Sequence, residues 1–262
     1  MKKSFNLGKL FGIQFRLHYT WFIIFIIVTI ALVSPNYSRW NYWIIGIITS
    51  LLFFASVVAH ELAHSLVGRA NGVPIDNITL FIFGGVAQIT REATRANAEL
   101  KMAAAGPACS LIIGGLFGLI FWLSRLHVPE PIATLILWLA FMNGMLAVFN
   151  LIPGFPLDGG RVLRSVLWRI TGNYNRSTRI AARLGQVIGY LFILGGLSII
   201  ILRPFDLSWF DGLWIIVIGW FLAEVATASY HQIQQQGTFN SFADPEASVS
   251  DRSMVNPDTD SS

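Results

Sequence analysis

The most informative stretch of this sequence covers residues 43–66 and reads WIIGIITSLLFFASVVAHELAHSL. A helix of about 20 predominantly apolar residues is long enough to cross a bilayer, and this stretch meets that requirement. Ionisable side chains inside such a helix are costly and indicate a functional site by default. Here they form the pattern H-E-x-x-H, in which His60 and His64 share one helical face and Glu61 follows His60. Such a histidine pair can bind one metal ion, with the glutamate acting as a general base on water.

The composition and five further apolar segments predict a polytopic membrane protein. Only 12% of the 262 residues are charged and 54% are hydrophobic, whereas a soluble domain carries about 25% charged residues. This balance excludes a disordered chain and disfavours a soluble globule. We predict an all-α membrane protein with about six transmembrane helices, near residues 19–33, 43–66, 102–123, 132–152, 185–202 and 211–230. The first segment follows a basic leader, so a cleaved signal peptide is an alternative for it.

The distribution of basic residues predicts how the chain is oriented. All but three of the 18 Lys and Arg residues fall on one side of the six predicted spans, and the exceptions are Arg39, Arg125 and Arg203. Cytoplasmic loops of membrane proteins carry an excess of Lys and Arg. We therefore expect a multi-pass cell-membrane protein with both termini in the cytoplasm. The formal net charge of +4 then reflects membrane topology, and we expect no nucleic-acid partner.

The end of the chain differs in composition from the rest. Residues 234–262 are polar and rich in Ser, Asp, Asn and Pro, with too little apolar surface to fold alone. We predict an integral membrane domain over residues 1–233 and a disordered polar tail over residues 234–262. The chain has one cysteine, Cys109, which excludes an intrachain disulfide framework and a Cys-rich zinc site.

A catalytic zinc site needs a third protein ligand besides the two histidines. His18 and His231 lie at the ends of predicted spans, and His127 lies on the opposite side of the membrane, so none of them is well placed. Asp158 is the better candidate, in the stretch NLIPGFPLDGGR that begins at Asn150. Prolines and glycines break the fourth helix there, at the cytoplasmic end where the histidine pair is expected. The alternative is that Asp158 only caps the next helix.

These motifs together resemble the site-2 protease family of intramembrane zinc metalloproteases. The resemblance runs from about residue 10 to residue 230, and it includes two accessory elements at residues 83–87 (FGGVA) and 105–107 (AGP). The order of elements is similar to the six-span prokaryotic type. Other members of the family carry a PDZ insert or C-terminal cystathionine-synthase-type modules, and we find neither pattern here.

The resemblance implies a role for each residue of the two main motifs. It implies that His60, His64 and Asp158 bind one zinc ion and that Glu61 is the catalytic glutamate. It also implies that Asn150 helps to bind the substrate carbonyl or the oxyanion. An interhelical hydrogen bond is the alternative role for Asn150.

Residues 73–89 are rich in β-branched and aromatic residues and contain Pro74 and a Gly pair, so they do not read as a spanning helix. We predict a short membrane-associated β-hairpin after the second helix. Its edge can hold an unwound substrate as an added strand, with Gly84, Gly85 and Val86 as candidate substrate-binding residues. The alternative is an interfacial loop that only covers the site.

The function expected from these features is hydrolysis of a peptide bond within or near a transmembrane segment of a membrane-protein substrate, that is, regulated intramembrane proteolysis. The resemblance implies substrates such as single-span regulators, including anti-sigma factors. A divalent-metal transporter would need polar residues across the whole bilayer, whereas here they cluster at one depth. A silent scaffold would not need Glu61 together with three ligands. Glu224, an acidic residue in the sixth predicted span, has no assigned role.

Overall fold

The structure is a computed structural model that describes residues 4–33, 40–81, 84–89, 93–203 and 208–243. Its strands and helices, in chain order, are β1 Ser4–Leu10, β2 Ile13–His18, α1 Thr20–Val33, α2 Trp40–Ala70, β3 Ile75–Phe81, β4 Gly84–Ile89, α3 Ala96–Ser124, α4 Glu130–Asn150, α5 Asp158–Thr171, α6 Tyr174–Leu202 and α7 Trp209–Ala243. The chain divides into two compact units. Unit 1 comprises Met1–Ile152 and Leu157–Val166, and unit 2 comprises Pro153–Pro156 and Leu167–Ser262.

The helices confirm a multi-pass membrane protein. Five of the described helices contain segments long and apolar enough to span a bilayer, namely Tyr42–Ala70, Ala96–Ser124, Glu130–Asn150, Tyr174–Leu202 and Trp209–His231. Only 17–28% of the most apolar window in each is fully buried, so most side chains there are at least partly exposed, as expected for helices in contact with lipid. The first predicted span corresponds to α1, which has 14 described residues and is shorter than a typical span.

A four-stranded sheet belongs to unit 1, in the order β1-β2-β3-β4. The β3–β4 pair is antiparallel and confirms the predicted hairpin after the second spanning helix; Phe83 lies outside the described residues. The β1–β2 hairpin was not predicted. It pairs with β3 through a parallel β2–β3 ladder. One face of the sheet is a buried core formed by Ile13, Phe15, Leu17, Ile78 and Leu80.

This sheet core packs against the helix that carries the histidine pair. Val58 and Leu62 of α2, with Trp21 of α1, cover the buried strand residues. Val58 and Leu62 lie one helical turn apart and point to the sheet, whereas His60 and His64 lie on another face of the same helix. One face of α2 therefore packs against the apolar side of the sheet, and another face, which carries the two histidines, makes polar contacts with α3.

The helices of unit 2 pack closely through glycines. A Cβ on Gly189 of α6 would lie 2.7 Å from the backbone nitrogen of Ala223 and from the carbonyl oxygen of Gly219, both in α7. Small residues at such contacts let helix backbones approach each other in a membrane. The predicted tail also begins in this unit. Its first residue, Gln234, lies inside α7, which continues to Ala243, while residues 244–262 lie outside the described residues.

Candidate metal centre

Three predicted ligands come together in unit 1. His60 and His64 of α2 are 2% and 7% exposed, and Asp158 is the first residue of α5. The Nε2 atoms of the two histidines are 3.1 Å apart, and Asp158 Oδ2 lies 3.2 Å from His60 Nε2 and 3.0 Å from His64 Nε2. Among the described residues, His60, His64 and Asp158 form the cluster of potential metal-binding side chains whose ligand atoms are close enough to hold one metal ion.

Hydrogen bonds behind the imidazoles orient both rings. His64 Nδ1 donates to the backbone oxygen of Met102 at 2.7 Å, which leaves Nε2 with its lone pair toward the site. His60 Nδ1 lies 2.9 Å from the hydroxyl oxygen of Ser110, and it donates to that oxygen when Nε2 is the metal-binding atom. Both partners belong to α3. Such outer hydrogen bonds fix the ring orientation of metal-binding histidines.

A glycine of α3 leaves room for the converging ligand atoms. A Cβ added to Gly106 would lie 2.7 Å from His60 Nε2 and would also contact His64 Nε2. Any other residue at this position would therefore push the imidazoles away from Asp158. Gly106 belongs to the Ala-Gly-Pro element that the sequence resemblance singled out, and the structure gives a physical reason for it.

The donor set and its spacing fit a zinc ion. Two Nε2 atoms and a carboxylate oxygen converge at these distances either by sharing hydrogens or by binding one cation, and a cation satisfies all three lone pairs at once. Ligand atoms of tetrahedral zinc are about 3.3 Å apart when the bonds are ~2.0 Å long, close to the observed separations. Burial acts to raise the pKa of Asp158, but its contacts with His60 and His64 outweigh burial and hold that pKa at about 2. The carboxylate is therefore ionised at neutral pH, as a metal ligand must be.

The remaining predicted site residues lie on neighbouring elements of unit 1. Glu61 is half-buried on α2 and close enough to His64 to interact with it electrostatically. Asn150 is the last residue of α4, and its side-chain nitrogen donates to the carbonyl oxygen of Leu146 at 2.9 Å. That bond lies within one helix, so it differs from the interhelical bond considered as the alternative. Gly84 and Val86 belong to β4, where they pair with Phe81 and Thr79 of β3.

The other candidate histidines do not join this centre. His18 is half-buried in β2 and contacts the hydroxyl of Thr20 at 2.9 Å, and His127 and His231 are exposed. Sequence reasoning missed the contributions of Met102 and Ser110. The sequence signal for both is their spacing: Met102 and Ser110 lie four residues before and after Gly106, on the same face of α3.

Multi-pass helices and a His-His-Asp centre with two buried histidines, built on H-E-x-x-H, define a membrane metalloprotease by its fold and site. Comparison with known proteins agrees with this class. The chain belongs to Peptidase family M50, whose profile matches residues 48–130 and 126–195.

Named relatives extend this assignment over most of the chain. A Synechocystis sp. protein described as a zinc metalloprotease is 40% identical over 261 residues, which cover 97% of this chain and 67% of that protein. The Mycobacterium tuberculosis zinc metalloprotease Rip3 is 35% identical over 246 residues, covering 91% of this chain and 62% of Rip3. The chain thus spans about two thirds of the length of these curated relatives.

A solved structure has the same fold. The site-2 protease from Methanocaldococcus jannaschii superposes with a TM-score of 0.60 at 34% identity, covering 87% of this chain and 95% of that one. The family and these relatives identify the chain as a zinc metalloprotease, and the sequence-based assignment to the site-2 protease family is confirmed.

Proposed function

We propose that this chain is an intramembrane zinc endopeptidase that hydrolyses a peptide bond within or near a transmembrane segment of a membrane-protein substrate. One observation carries the proposal: the metal centre is built on a membrane-spanning helix. His60 and His64 lie in the C-terminal half of the apolar segment Tyr42–Ala70. A protease with its metal at that position acts on peptide bonds that reach into the bilayer.

In the proposed mechanism each residue of the centre has one role. His60, His64 and Asp158 would hold one zinc ion per chain. The chemistry that the ion would supply is that of a Lewis acid, which lowers the pKa of the reacting water to about 7 and polarises the substrate carbonyl. Glu61 takes the proton from the attacking water and later passes it to the nitrogen of the leaving amine. The proximity of Glu61 to His64 supports this role.

Asn150 is the proposed hydrogen-bond donor to the substrate carbonyl and to the oxyanion that forms from it. Its amide nitrogen carries two hydrogens, and the bond to the Leu146 carbonyl uses one of them. The second hydrogen is available for a carbonyl oxygen, and the first fixes the side chain at the end of α4. A donor held in place before the reaction stabilises developing negative charge more effectively than a mobile one.

The strand β4 is the proposed binding surface for unwound substrate. A helical substrate hides its scissile amide behind its own hydrogen bonds, so the segment must become extended before it is cut. β4 stands at one end of the strand order, which supports addition of a substrate strand along Gly84, Gly85 and Val86. Single-span regulators such as anti-sigma factors are substrates of the expected kind, and the basic-residue distribution supports cytoplasmic termini.

Cleavage of a tagged single-span reporter by the purified chain in liposomes tests this proposal. We expect a fragment that is absent with Glu61→Gln and absent after chelation of zinc. A Glu130→Gln variant serves as the control, because Glu130 is exposed at the start of α4 and bonds to Thr134. If several unrelated reporters stay intact while the protein holds zinc, a scaffold that binds membrane helices replaces the protease proposal.

A further inference from the structure

One face of α3 contacts both histidines of the metal centre. Met102 and Ser110 orient the two histidines, and Gly106 leaves space for their Nε2 atoms. Glu99 lies on the same helical face, three residues before Met102 and one turn nearer the start of α3. No contact described so far links this face to Asp158, the ligand contributed by α5.

Glu99 supplies that link through an arginine of α5. Arg164 Nε donates to Glu99 Oε1 at 2.8 Å, and Arg164 Nη2 contacts the same oxygen. Arg161, one turn nearer Asp158, has its Nε 3.8 Å from Glu99 Oε1. Glu99 is 1% exposed and Arg164 is 7% exposed. Two successive turns of α5 therefore face one buried carboxylate of α3.

This ion pair is poorly arranged as a source of stability alone. Burying a carboxylate and a guanidinium carries a large desolvation cost, which close pairing recovers only when the other polar atoms are also satisfied. Within the described part of the chain, Glu99 Oε2 and Arg161 Nε are buried and have no hydrogen-bond partner. A buried ion pair with unsatisfied polar atoms is better explained by a role in fixing the position of α5 relative to α3 than by a gain in stability.

The geometry that this ion pair imposes is the position of Asp158. Arg164 is six residues after Asp158 in the same helix, about 9 Å along the axis. A helix transmits a fixed position over that distance with little loss. Gly159 seats the same end of α5, because a Cβ there would collide with the carbonyl oxygens of Leu151 and Ile152.

We propose that Glu99 is a positioning residue for the metal centre: through Arg164 it holds α5 so that Asp158 reaches the two histidines. The inference rests on the ligand roles proposed above for His60, His64 and Asp158. It makes α3 the helix that positions all three ligands, two by direct hydrogen bonds and one through an ion pair.

The test compares zinc affinity in the full chain among variants that keep the buried charges balanced. Glu99→Gln with Arg164→Met removes both charges, so no unpaired ion is left in the interior. We expect the Kd for zinc, measured by competition with a chromophoric chelator, to rise about 10–100-fold. The visible spectrum of the cobalt-substituted protein should change as well, since it reports the ligand geometry. Glu130→Gln should leave both readouts unchanged.

Combination with Asp158→Asn shows whether Glu99 acts through Asp158. If it does, adding the double substitution to Asp158→Asn causes little further loss of zinc affinity, because the shared ligand is already gone. Arg164→Lys provides a second variant should the double one not fold: it keeps the charge but not the two contacts, and we expect a smaller rise in Kd.

Two results would overturn the inference. One is a double variant with a lowered Tm but with wild-type zinc affinity and cobalt spectrum, since the pair would then be structural only. The other is a triple variant whose Kd for zinc exceeds that of Asp158→Asn by the same factor by which the Kd of the double variant exceeds that of the wild type. A wrong ligand assignment for Asp158 gives a separate result, because Asp158→Asn alone would then bind zinc as tightly as the wild type.

Discussion

At the scale of single residues, Gly106 shows how tightly the centre is packed. Substitution by alanine places a Cβ 2.7 Å from His60 Nε2 and against His64. We predict that Gly106→Ala lowers zinc affinity at least ~10-fold, because the imidazoles must move away from Asp158. Gly115→Ala in the same helix is the matched control, since a Cβ there meets nothing within 4 Å. Equal zinc affinity of the two variants, measured by chelator competition, would contradict the packing described for α3.

Metal removal should affect stability through the three ligands and not through Glu61. A bound ion at 1,000 times its Kd stabilises the folded state by about 4 kcal/mol. We predict that a chelator lowers the Tm of the wild type and of Glu61→Gln by the same amount. Asp158→Asn should show a smaller shift. A Glu61→Gln protein that no longer responds to chelation would mean that Glu61 is itself a ligand.

The three residues that meet at the candidate centre could be predicted from sequence, whereas the residues of α3 that orient them were missed. H-E-x-x-H fixes the relation of His60 to His64 within one helix, so local geometry was sufficient. The prediction of Asp158 also depended on the prolines and glycines just before it, which break the fourth helix. Glu99 and Ser110 act across helices, and their roles depend on how α3 packs against α2 and α5. No local sequence pattern predicts how these helices pack.

At the scale of elements, close helix packing in unit 2 depends on glycines. We predict that Gly189→Ala destabilises the protein by ~1–3 kcal/mol, because its Cβ would overlap the backbone of α7 at Ala223 and Gly219. Gly195→Ala, in the same helix but with nothing within 4 Å of its Cβ, should be neutral or mildly stabilising. Thermal unfolding in detergent checks this pair. Equal stabilities would mean that α6 and α7 are not in contact at Gly189.

The sheet shows which element was predictable and which was missed. The β3–β4 hairpin was predicted because β-branched residues, Pro74 and a Gly pair exclude a spanning helix. The β1–β2 hairpin was missed because the start of the chain read as a basic leader. Its signal was present: Ile13, Phe15 and Leu17 alternate with polar residues and are buried in β2. Pairing with β3, which is distant in sequence, makes this hairpin part of the fold.

At the scale of the whole molecule, the basic residues predict an orientation that labelling can test. In a Cys109→Ala background, which removes the one cysteine, we consider Leu126→Cys and Arg169→Cys at two exposed positions. A membrane-impermeant maleimide should label the first in intact cells and the second only after permeabilisation. The reverse pattern would place both termini outside the cytoplasm.

We propose that one zinc centre on α2 and α5 cuts peptide bonds within the membrane. The most direct test is mass spectrometry of the products that the purified chain releases from a single-span reporter in liposomes. We predict new termini inside the apolar segment of the reporter with the wild type, and none with Glu61→Gln although that variant still binds zinc. Cleavage confined to the soluble flanks of the reporter, or cleavage that persists in Glu61→Gln, would contradict intramembrane cleavage at this centre.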